Sequence, residues 1–297
     1  MGVRDIFCCL RCLFPAKASY AELDGASQGV ELPAPAPAVI GQQAPPPREP
    51  SGNEGDSLDA GSSRRAKAQI LEKLPAMGAS IRLLRSKMSC NDLREVMEAI
   101  EALPDVVELE CGCLGIGDDG AEVVADVLGT GDLVHRLTSL SLWGNGITDA
   151  GCSKLCKTLK ERGAENLTSL VLSNNDIADG GVQACAELLA TGKVPLRSLD
   201  LSVNADVANT AVSSFSRKMM GVPNVSLVSL NLSNNSIGDP GALSLAEWMA
   251  SSSASCVREL DLSFNFVGNQ GVLAFERIGL RTRVDTNGCL EVNRCLE

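Results

Sequence analysis

One stretch recurs along this chain and limits what the chain can fold into. Leu137–Gly151 reads Leu-Thr-Ser-Leu-Ser-Leu-Trp-Gly-Asn-Gly-Ile-Thr-Asp-Ala-Gly, and it returns with few changes at Leu167–Gly181. Its pattern, L-x-x-L-x-L-x-x-N-x-I-x-D-x-G, also fits four other stretches, the last two loosely: Leu227–Gly241, Val257–Gly271, Val106–Gly120 and Leu196–Ala211. The six first positions are separated by 31, 30, 29, 31 and 30 residues. A fixed period of this size predicts a solenoid of stacked repeats.

Each copy contains the alternation of a short β-strand. In Leu140-Ser-Leu142 and Leu170-Val-Leu172 the leucines point to one face, and the residues between them point to the other. A single strand cannot bury its leucines, but parallel strands from successive repeats share one continuous core. We therefore predict an α/β fold with parallel strands on one side of the solenoid and helices on the other.

Two polar positions also recur with the period. The ninth position holds Asn145, Asn175, Asn204, Asn235 and Asn265, and we expect each amide to bond backbone groups of neighbouring repeats. The thirteenth position holds Asp118, Asp149, Asp179, Asp239 and Asn269. Because an Asp or Asn directly before a helix accepts bonds from its first free N–H groups, we interpret these residues as helix caps. The fourth copy needs one inserted residue to keep this phase, so its turn at residues 204–210 is either a contact site or a tolerated insertion.

These copies resemble the leucine-rich repeat family, specifically the long ribonuclease-inhibitor-like class that also occurs in NOD-like receptors and in the Ran GTPase-activating protein. The resemblance runs from about Gly78 to about Leu290. It implies a curved horseshoe with parallel strands on the concave face and helices on the convex face. It implies little about function, because function depends on sites grafted onto a fold.

Atypical segments flank the repeats at 106–280. Residues 63–105 predict a helical amino-terminal cap, with a helix from about Arg64, a degenerate strand at Ser80–Arg85 and a helix at Asn91–Leu103. Residues 281–297 predict a carboxy-terminal cap, in which Arg281–Gly288 is a final strand without its helix. Terminal repeats must be atypical because they cover the ends of the core.

The first fourteen residues favour a membrane anchor. Gly2 follows the initiator Met, and Cys8, Cys9 and Cys12 lie close behind it. This pattern is typical of a protein with myristate on the glycine and palmitate on the thiols. The myristoylation pattern has Ser or Thr at the sixth position, whereas this chain has Ile6. A secretory signal, a metal site and a plain disordered tail remain as alternatives. Dual acylation would place the protein at the cytoplasmic face of a membrane.

Residues 15–62 predict a disordered linker. The stretch is rich in Ala, Pro, Gly, Ser and Gln, so it cannot bury enough apolar surface to offset the entropy of ordering it. A flexible chain of this length reaches on the order of 40 Å. We therefore expect a tether between the anchor and the solenoid.

The remaining motifs do not indicate catalysis or a cofactor. Gly115-Ile-Gly117-Asp-Asp-Gly120 satisfies a dinucleotide-binding pattern, but Gly120 is in phase with the glycines of the other repeats. His135 is the only histidine and has no nucleophile motif beside it. The formal charge of -11 argues against nucleic acid. We expect no catalytic, cofactor or metal site, and we interpret Cys111, Cys152, Cys156 and Cys185 as reduced core thiols.

The predicted concave face is the candidate binding surface. Its residues are small, polar or acidic apart from one indole and one valine, and the candidates are Glu108, Glu110, Ser141, Trp143, Val171, Ser173, Asp200, Asn231, Glu259 and Asp261. We expect an exposed Trp143 next to Val171 to anchor a protein partner, and the acids to favour a basic segment of that partner. We therefore predict a monomeric, non-enzymatic, membrane-tethered interaction scaffold. Regulation of a small GTPase and innate sensing are the alternatives that the resemblance suggests.

Overall fold

The computed structural model describes residues 60–223, 225–284 and 290–293. The proposed acylation sites Gly2, Cys8, Cys9 and Cys12, and the predicted linker as far as residue 59, lie outside the described residues. Helix α1 begins at Ala60, so it starts within the stretch predicted to be linker.

Strands and helices alternate along the described chain. The strands are β1 (Ser80–Leu84), β2 (Glu108–Gly112), β3 (Ser139–Ser141), β4 (Ser169–Val171), β5 (Ser198–Asp200), β6 (Ser229–Asn231), β7 (Glu259–Asp261), β8 (Arg281–Val284) and β9 (Leu290–Asn293). The helices are α1 (Ala60–Lys73), α2 (Cys90–Glu101), α3 (Gly117–Thr130), α4 (Leu133–Arg136), α5 (Asp149–Arg162), α6 (Asp179–Ala190), α7 (Asn209–Met220), α8 (Asp239–Ala250) and α9 (Asn269–Arg277). Short 3-10 turns lie at Leu74–Ala76 and Ser252–Ala254.

The first seven strands form one parallel sheet in chain order. The register aligns one apolar residue from every strand: Ile81, Leu109, Leu140, Leu170, Leu199, Leu230 and Leu260. All seven side chains are at most 1% exposed. Because each repeat buries its leucines only against its neighbours, the core is continuous along the stack. This arrangement confirms the predicted α/β leucine-rich repeat solenoid.

The helices form a layer on the other side of that core. In α5 the apolar side chains recur at helical spacing, with Cys152, Leu155, Cys156 and Leu159 buried. The larger residues of later repeats fill the same layer, and the rings of Phe215 and Trp248 meet edge to face at 5.4 Å between centroids. The cysteines described by the structure are unpaired, and Cys111, Cys152, Cys156 and Cys185 are buried, which confirms the prediction of reduced core thiols.

The repeated asparagines connect each turn to the one before it. The Asn175 carbonyl oxygen accepts from the N–H groups of Asn145 and Ile147, both at 3.0 Å. Its amide donates to the carbonyls of Leu142 at 3.1 Å and Leu172 at 3.0 Å. Equivalent bonds surround the other four members, Asn145, Asn204, Asn235 and Asn265. The predicted structural role of these asparagines is therefore confirmed.

The repeated acids cap helices, but not the helices that were predicted. Asp149 is the first residue of α5, and its carboxylate accepts from the N–H groups of Ala178 at 2.8 Å and Gly181 at 2.7 Å, at the start of α6. Asp118, Asn209 and Asp239 bond the start of the next helix in the same way. Asp179 is exposed and has no equivalent bond within the described part of the chain. The prediction of a cap for each residue's own helix was wrong, because the free N–H groups within reach belong to the following repeat.

The segment predicted as the amino-terminal cap contains most of α1 and all of β1 and α2. Helix α1 packs on α2, where Ser89 caps the helix by accepting from the Asp92 N–H at 3.2 Å. The Asp92 carboxylate also accepts from the Ser63 hydroxyl and pairs with Lys67 at 2.8 Å. These contacts tie α1 to the first strand–helix unit.

The carboxy-terminal cap differs from its prediction. Strand β8 forms an antiparallel hairpin with β9, and β9 pairs antiparallel with β7. The strand predicted at Arg281–Gly288 therefore does not extend the parallel sheet directly. The returning strand β9, and not a parallel strand, lies beside β7.

Packing accounts for the last glycine of the dinucleotide-like motif, Gly120, whereas Gly115 and Gly117 have a positive φ and open space at the Cβ position. A Cβ at Gly120 would lie 2.2 Å from the Cβ of Ile116, and a Cβ at the equivalent Gly181 would lie 2.6 Å from Cγ2 of Ile177. The same close approach of turn and helix thus favours glycine at this position in five of the six copies, and the fourth copy has Ala211 there. Within the described ranges, no helix is long and apolar enough to cross a membrane.

Candidate protein-binding surface

The outward face of the parallel sheet is the candidate surface, and we call it the strand face. The register places the strand residues between the buried leucines in two rows across it. The first row is Glu108, Ser139, Ser169, Ser198, Ser229 and Glu259, and the second is Glu110, Ser141, Val171, Asp200, Asn231 and Asp261. Neighbouring members of a row are about 4.8 Å apart, the spacing of paired strands. The strand face is therefore a continuous, mainly polar surface.

A third row follows where the strands end. Backbone bonds between repeats continue past the strands, as in Asn174 N–H to the Ser202 carbonyl at 2.9 Å and Val203 N–H to the Ser233 carbonyl at 2.9 Å. This row contains Gly112, Trp143, Ser173, Ser202, Ser233 and Ser263. The next residue has a left-handed backbone in every repeat, with φ between 53° and 70° at Cys113, Gly144, Asn174, Val203, Asn234 and Phe264. This turn ends each strand at the same level.

The predicted binding residues are not equally accessible. Glu108 and Glu259 are exposed at the two ends of the first row. Seven others are half-buried: Glu110, Trp143, Val171, Ser173, Asp200, Asn231 and Asp261. Ser141 is buried, with 9% of its surface exposed, so the prediction of an accessible Ser141 was wrong. It lies beside Trp143 in a crowded part of the face.

Trp143 is committed to contacts within the protein. Its Nε1 donates to Glu110 Oε1 at 3.0 Å, and its ring lies over Gly112 of the preceding repeat. A Cβ at Gly112 would lie 2.2 Å from the indole nitrogen, so the ring occupies the space that this glycine leaves. The expected exposed tryptophan was therefore wrong: the ring leans toward β2, on the opposite side from Val171 of β4.

Glu110 also bonds a cation at the amino-terminal end of the face. Arg82 Nε lies 3.3 Å from Glu110 Oε2, while the other carboxylate oxygen accepts from Trp143. The Arg82 side chain is largely exposed, so this pair contributes little to stability. It reduces the acidity of the surface near β1 and β2.

The second half of the face contains three repeated turns. Asp200 Oδ1 accepts from the Ser202 N–H at 2.9 Å and from its hydroxyl at 2.6 Å. Asn231 forms the same two bonds with Ser233, and Asp261 accepts from the Ser263 N–H at 2.8 Å. One carboxylate oxygen of Asp200 and one of Asp261 thus stabilise the turn that follows each residue. Burial raises the pKa of Asp200 above its ordinary value, and the nearby charge of Asp261 acts in the same direction.

Sequence reasoning missed an aromatic pair at the end of the solenoid. Phe264 is 58% exposed and Phe266 is 75% exposed, on either side of the structural Asn265. The repeat alignment contains the signal, because the other copies place Cys, Gly, Asn or Val at the first of these positions. Exposed large rings next to a polar surface are typical of interaction sites.

The fold and this face define the chain as a leucine-rich repeat solenoid. The family model described as "Leucine Rich repeat" matches residues 135–156, 163–184, 224–246 and 253–275. These ranges coincide with four of the strand–turn–helix units described above.

The relatives place the repeats in a particular class. The chain is 32% identical over 213 residues to the ribonuclease inhibitor of Sus scrofa, covering 62% of this chain and 44% of that protein. It is also 32% identical over 158 residues to the NACHT, LRR and PYD domains-containing protein 3 of Rattus norvegicus, covering 53% of this chain and 14% of that protein. The repeats are therefore of the ribonuclease-inhibitor-like class, and the chain spans less than half the length of these relatives.

A solved structure with partial similarity is the crystal structure of the Rad7 and Elc1 complex in yeast. It matches with a TM-score of 0.31 and 16% sequence identity, over 72% of this chain and 73% of that chain. A match at this level carries no conclusion about this protein.

Proposed function

We propose that this protein is a non-enzymatic scaffold that binds a protein partner on its strand face. The observation that carries the proposal is the continuous register of outward polar residues across six repeats. Such a face offers many small hydrogen-bonding groups on a rigid sheet, which suits recognition of an extended protein surface. The name of the Sus scrofa relative says that it inhibits ribonucleases, and binding another protein is the simplest activity that the two chains would share.

The partner's chemistry follows from the charges of the face. Glu108 and Glu259 are exposed and have no ion pair within the described part of the chain. Asp261 is half-buried on the same strand as Glu259, and Asp200 lies two strands away. A partner with a basic segment would bring cations to these carboxylates, which favours encounter and fixes its orientation.

We also propose that the amino-terminal segment tethers the scaffold to the cytoplasmic face of a membrane. Gly2 with Cys8, Cys9 and Cys12 is the sequence basis for this proposal. Acylation would concentrate the solenoid near membrane-bound partners. The predicted linker at residues 15–62 would let the solenoid reach partners on the order of 40 Å from the anchor. Binding and anchoring would thus use separate parts of the chain.

Proximity labelling in the native cell with a charge-reversed strand face tests the binding proposal. We choose Glu108→Lys with Glu259→Lys, because both side chains are exposed and neither holds a turn or an ion pair in the described structure. Trp143→Ala is less informative, since its loss would also free Glu110 and open the space over Gly112. The control is Glu247→Lys, an exposed glutamate on α8.

The proposal expects a small set of labelled proteins to disappear with the double variant and to persist with Glu247→Lys. Unchanged labelling in both variants would contradict binding on the strand face. Loss in both variants would show a general effect of net charge, which also contradicts it.

A further inference from the structure

Three buried thiols meet between α5 and α6. Cys152 Sγ and Cys156 Sγ, both on α5, lie 3.9 Å and 3.8 Å from Cys185 Sγ on α6. All three sulfurs lie within 4.8 Å of one another, and none of the side chains is more than 2% exposed. Among the His, Cys, Asp and Glu side chains of the described residues, these three cysteines have ligand atoms close enough together to hold a metal ion.

Core packing alone does not require cysteine at these positions. The equivalents of Cys152 and Cys156 in α6 are Val182 and Ala186, and the equivalent of Cys185 in α5 is Leu155. Helices α3, α7 and α8 place Ala, Val, Leu, Phe or Ser there: Ala121, Val124, Ala125, Val212, Phe215, Ser216, Ala242, Leu245 and Ala246. Side chains without sulfur fill the same layer in these helices, so the convergence of three sulfurs is particular to α5 and α6.

The spacing of the sulfurs fits a small soft ion. An ion at the centre of the triangle would lie roughly 2.2 to 2.5 Å from each sulfur, close to the ~2.3 Å of a zinc–thiolate bond. Thiolates select soft metals, including Cu(I) and Zn(II). Zinc in proteins takes four ligands, whereas the cluster described here offers three. Three sulfurs without a fourth donor therefore favour a monovalent ion that needs fewer ligands.

A groove leads from solvent to the cluster. It lies between α5 and α6, has a volume of about 300 Å³, and its lining includes Cys156, Lys157, Lys160, Gln183 and Glu187. Cys156 is the member of the cluster that borders this groove, and Cys152 and Cys185 lie deeper in the core. Charges of both signs line the groove, since Glu161 and Glu187 lie beside Lys157 and Lys160.

We propose that Cys152, Cys156 and Cys185 form a binding site for Cu(I). Coordination by two thiolates and one neutral thiol releases two protons to the buffer, and copper stays in the +1 state. The complex has a net charge of -1. The bound ion would cross-link α5 to α6 on the helix side of the solenoid, away from the strand face.

Anaerobic competition with a chromophoric Cu(I) chelator, bathocuproine disulfonate, tests the site. The protein is the full chain with Cys8, Cys9 and Cys12 replaced by Ser, so that the amino-terminal thiols do not contribute. Three variants take their residues from neighbouring repeats and keep the core filled: Cys152→Val, Cys156→Ala and Cys185→Leu. The control is Cys111→Ala, which removes a buried thiol outside the cluster. Circular dichroism melts establish that each variant is folded.

The proposal expects the parent and Cys111→Ala to withdraw one Cu(I) ion from the chelator, and each cluster variant to bind it at least tenfold more weakly. X-ray absorption of the loaded parent should show sulfur ligands only. No withdrawal by the folded parent, equal loss in Cys111→Ala, or binding of zinc without copper would each overturn it. Because the strand face is untouched, none of these results would bear on partner binding.

Discussion

At the scale of single residues, the buried asparagines bind the turns together. Asn204 is fully buried, donates to the carbonyls of Leu172 and Leu201 at 3.2 Å and 3.0 Å, and accepts from the Ile177 N–H at 3.1 Å. These backbone groups lie in the core of the stack, where water cannot replace the lost bonds. The amide thus satisfies groups of two repeats at once.

Asn204→Ala should lower the free energy of unfolding by about 2–4 kcal/mol, because it leaves several buried backbone groups without partners. Urea denaturation followed by circular dichroism measures the loss. Asn269→Ala is the matched control, since Asn269 is exposed and lies at the start of α9. A loss no larger than that of the control would contradict the structural role of the asparagine.

Asp200 gives a pH-dependent prediction, because Asn231 shows that an amide serves in the same turn. The folded pKa of Asp200 is raised, so its contribution to stability is fully present below its unfolded pKa of about 3.9 and is lost as pH rises through the folded value. Asp200→Asn should therefore be more stable than the parent at pH 7, and the difference should shrink as the pH falls below about 4. Urea denaturation of the parent and of Asp200→Asn at pH 7 and pH 3 measures both differences. A variant that is less stable than the parent at pH 7 would contradict a raised pKa for Asp200.

The reverse exchange, Asn231→Asp, places a carboxylate between Asp200 and Asp261 in the same row. Like charges on paired strands repel, so the free energy of unfolding at pH 7 should fall by on the order of 1 kcal/mol. Protonation at low pH should remove most of this loss. If the loss persists at pH 3, its cause is steric and the charges of the face are not coupled.

At the scale of helices and strands, the acids that begin one helix fix the start of the next. Asp149 bonds three N–H groups ahead of and within the first turn of α6, at Ala178, Gly180 and Gly181. Asp179 has no such bond within the described residues, and the inserted residue of the fourth copy lies just before α7. The stack is therefore less tightly joined between α6 and α7.

Asp149→Ala should lower the free energy of unfolding by about 1–2 kcal/mol, the usual cost of losing a helix cap. Asp179→Ala, in the equivalent position, should change it by less than about 0.5 kcal/mol. Thermal and urea melts of the two variants compare them directly. Equal effects would show that the bonds from one repeat to the next do not decide the contribution of these acids.

The repeat period predicted where strands and helices lie better than it predicted the contacts between repeats. Leu140, Leu170 and the other core leucines follow from alternation alone, and Asn175 follows from its place in the turn. The caps were assigned to the wrong helix, because the contact of Asp149 with Gly181 spans a full repeat and depends on how neighbouring turns align. The position of Trp143 depends on Gly112, the only glycine in its row, and the closing strand β9 depends on chain that has no repeat pattern.

At the scale of the whole molecule, anchoring and binding are proposed for different parts of the chain. One myristoyl chain gives only weak and reversible membrane binding, so stable attachment needs the thiols as well. Replacing Cys8, Cys9 and Cys12 by Ser should move the protein from the membrane fraction to the supernatant. The control replaces Cys90, Cys113 and Cys256, three thiols of the solenoid that are not fully buried. A triple amino-terminal variant that stays in the membrane fraction would contradict dual acylation.

Cross-linking tests directly whether the strand face contacts the partner. A photo-cross-linking residue placed in turn at Glu108, Ser198 and Glu259 reports contacts along the first row of that face. The same residue at Gln183 and Glu247, exposed on α6 and α8, reports contacts on the helix side. Irradiation in the native cell should give the same cross-linked partner from the three strand-face positions and none from the helices. A partner captured only from Gln183 or Glu247 would contradict the account and place binding on the helix side.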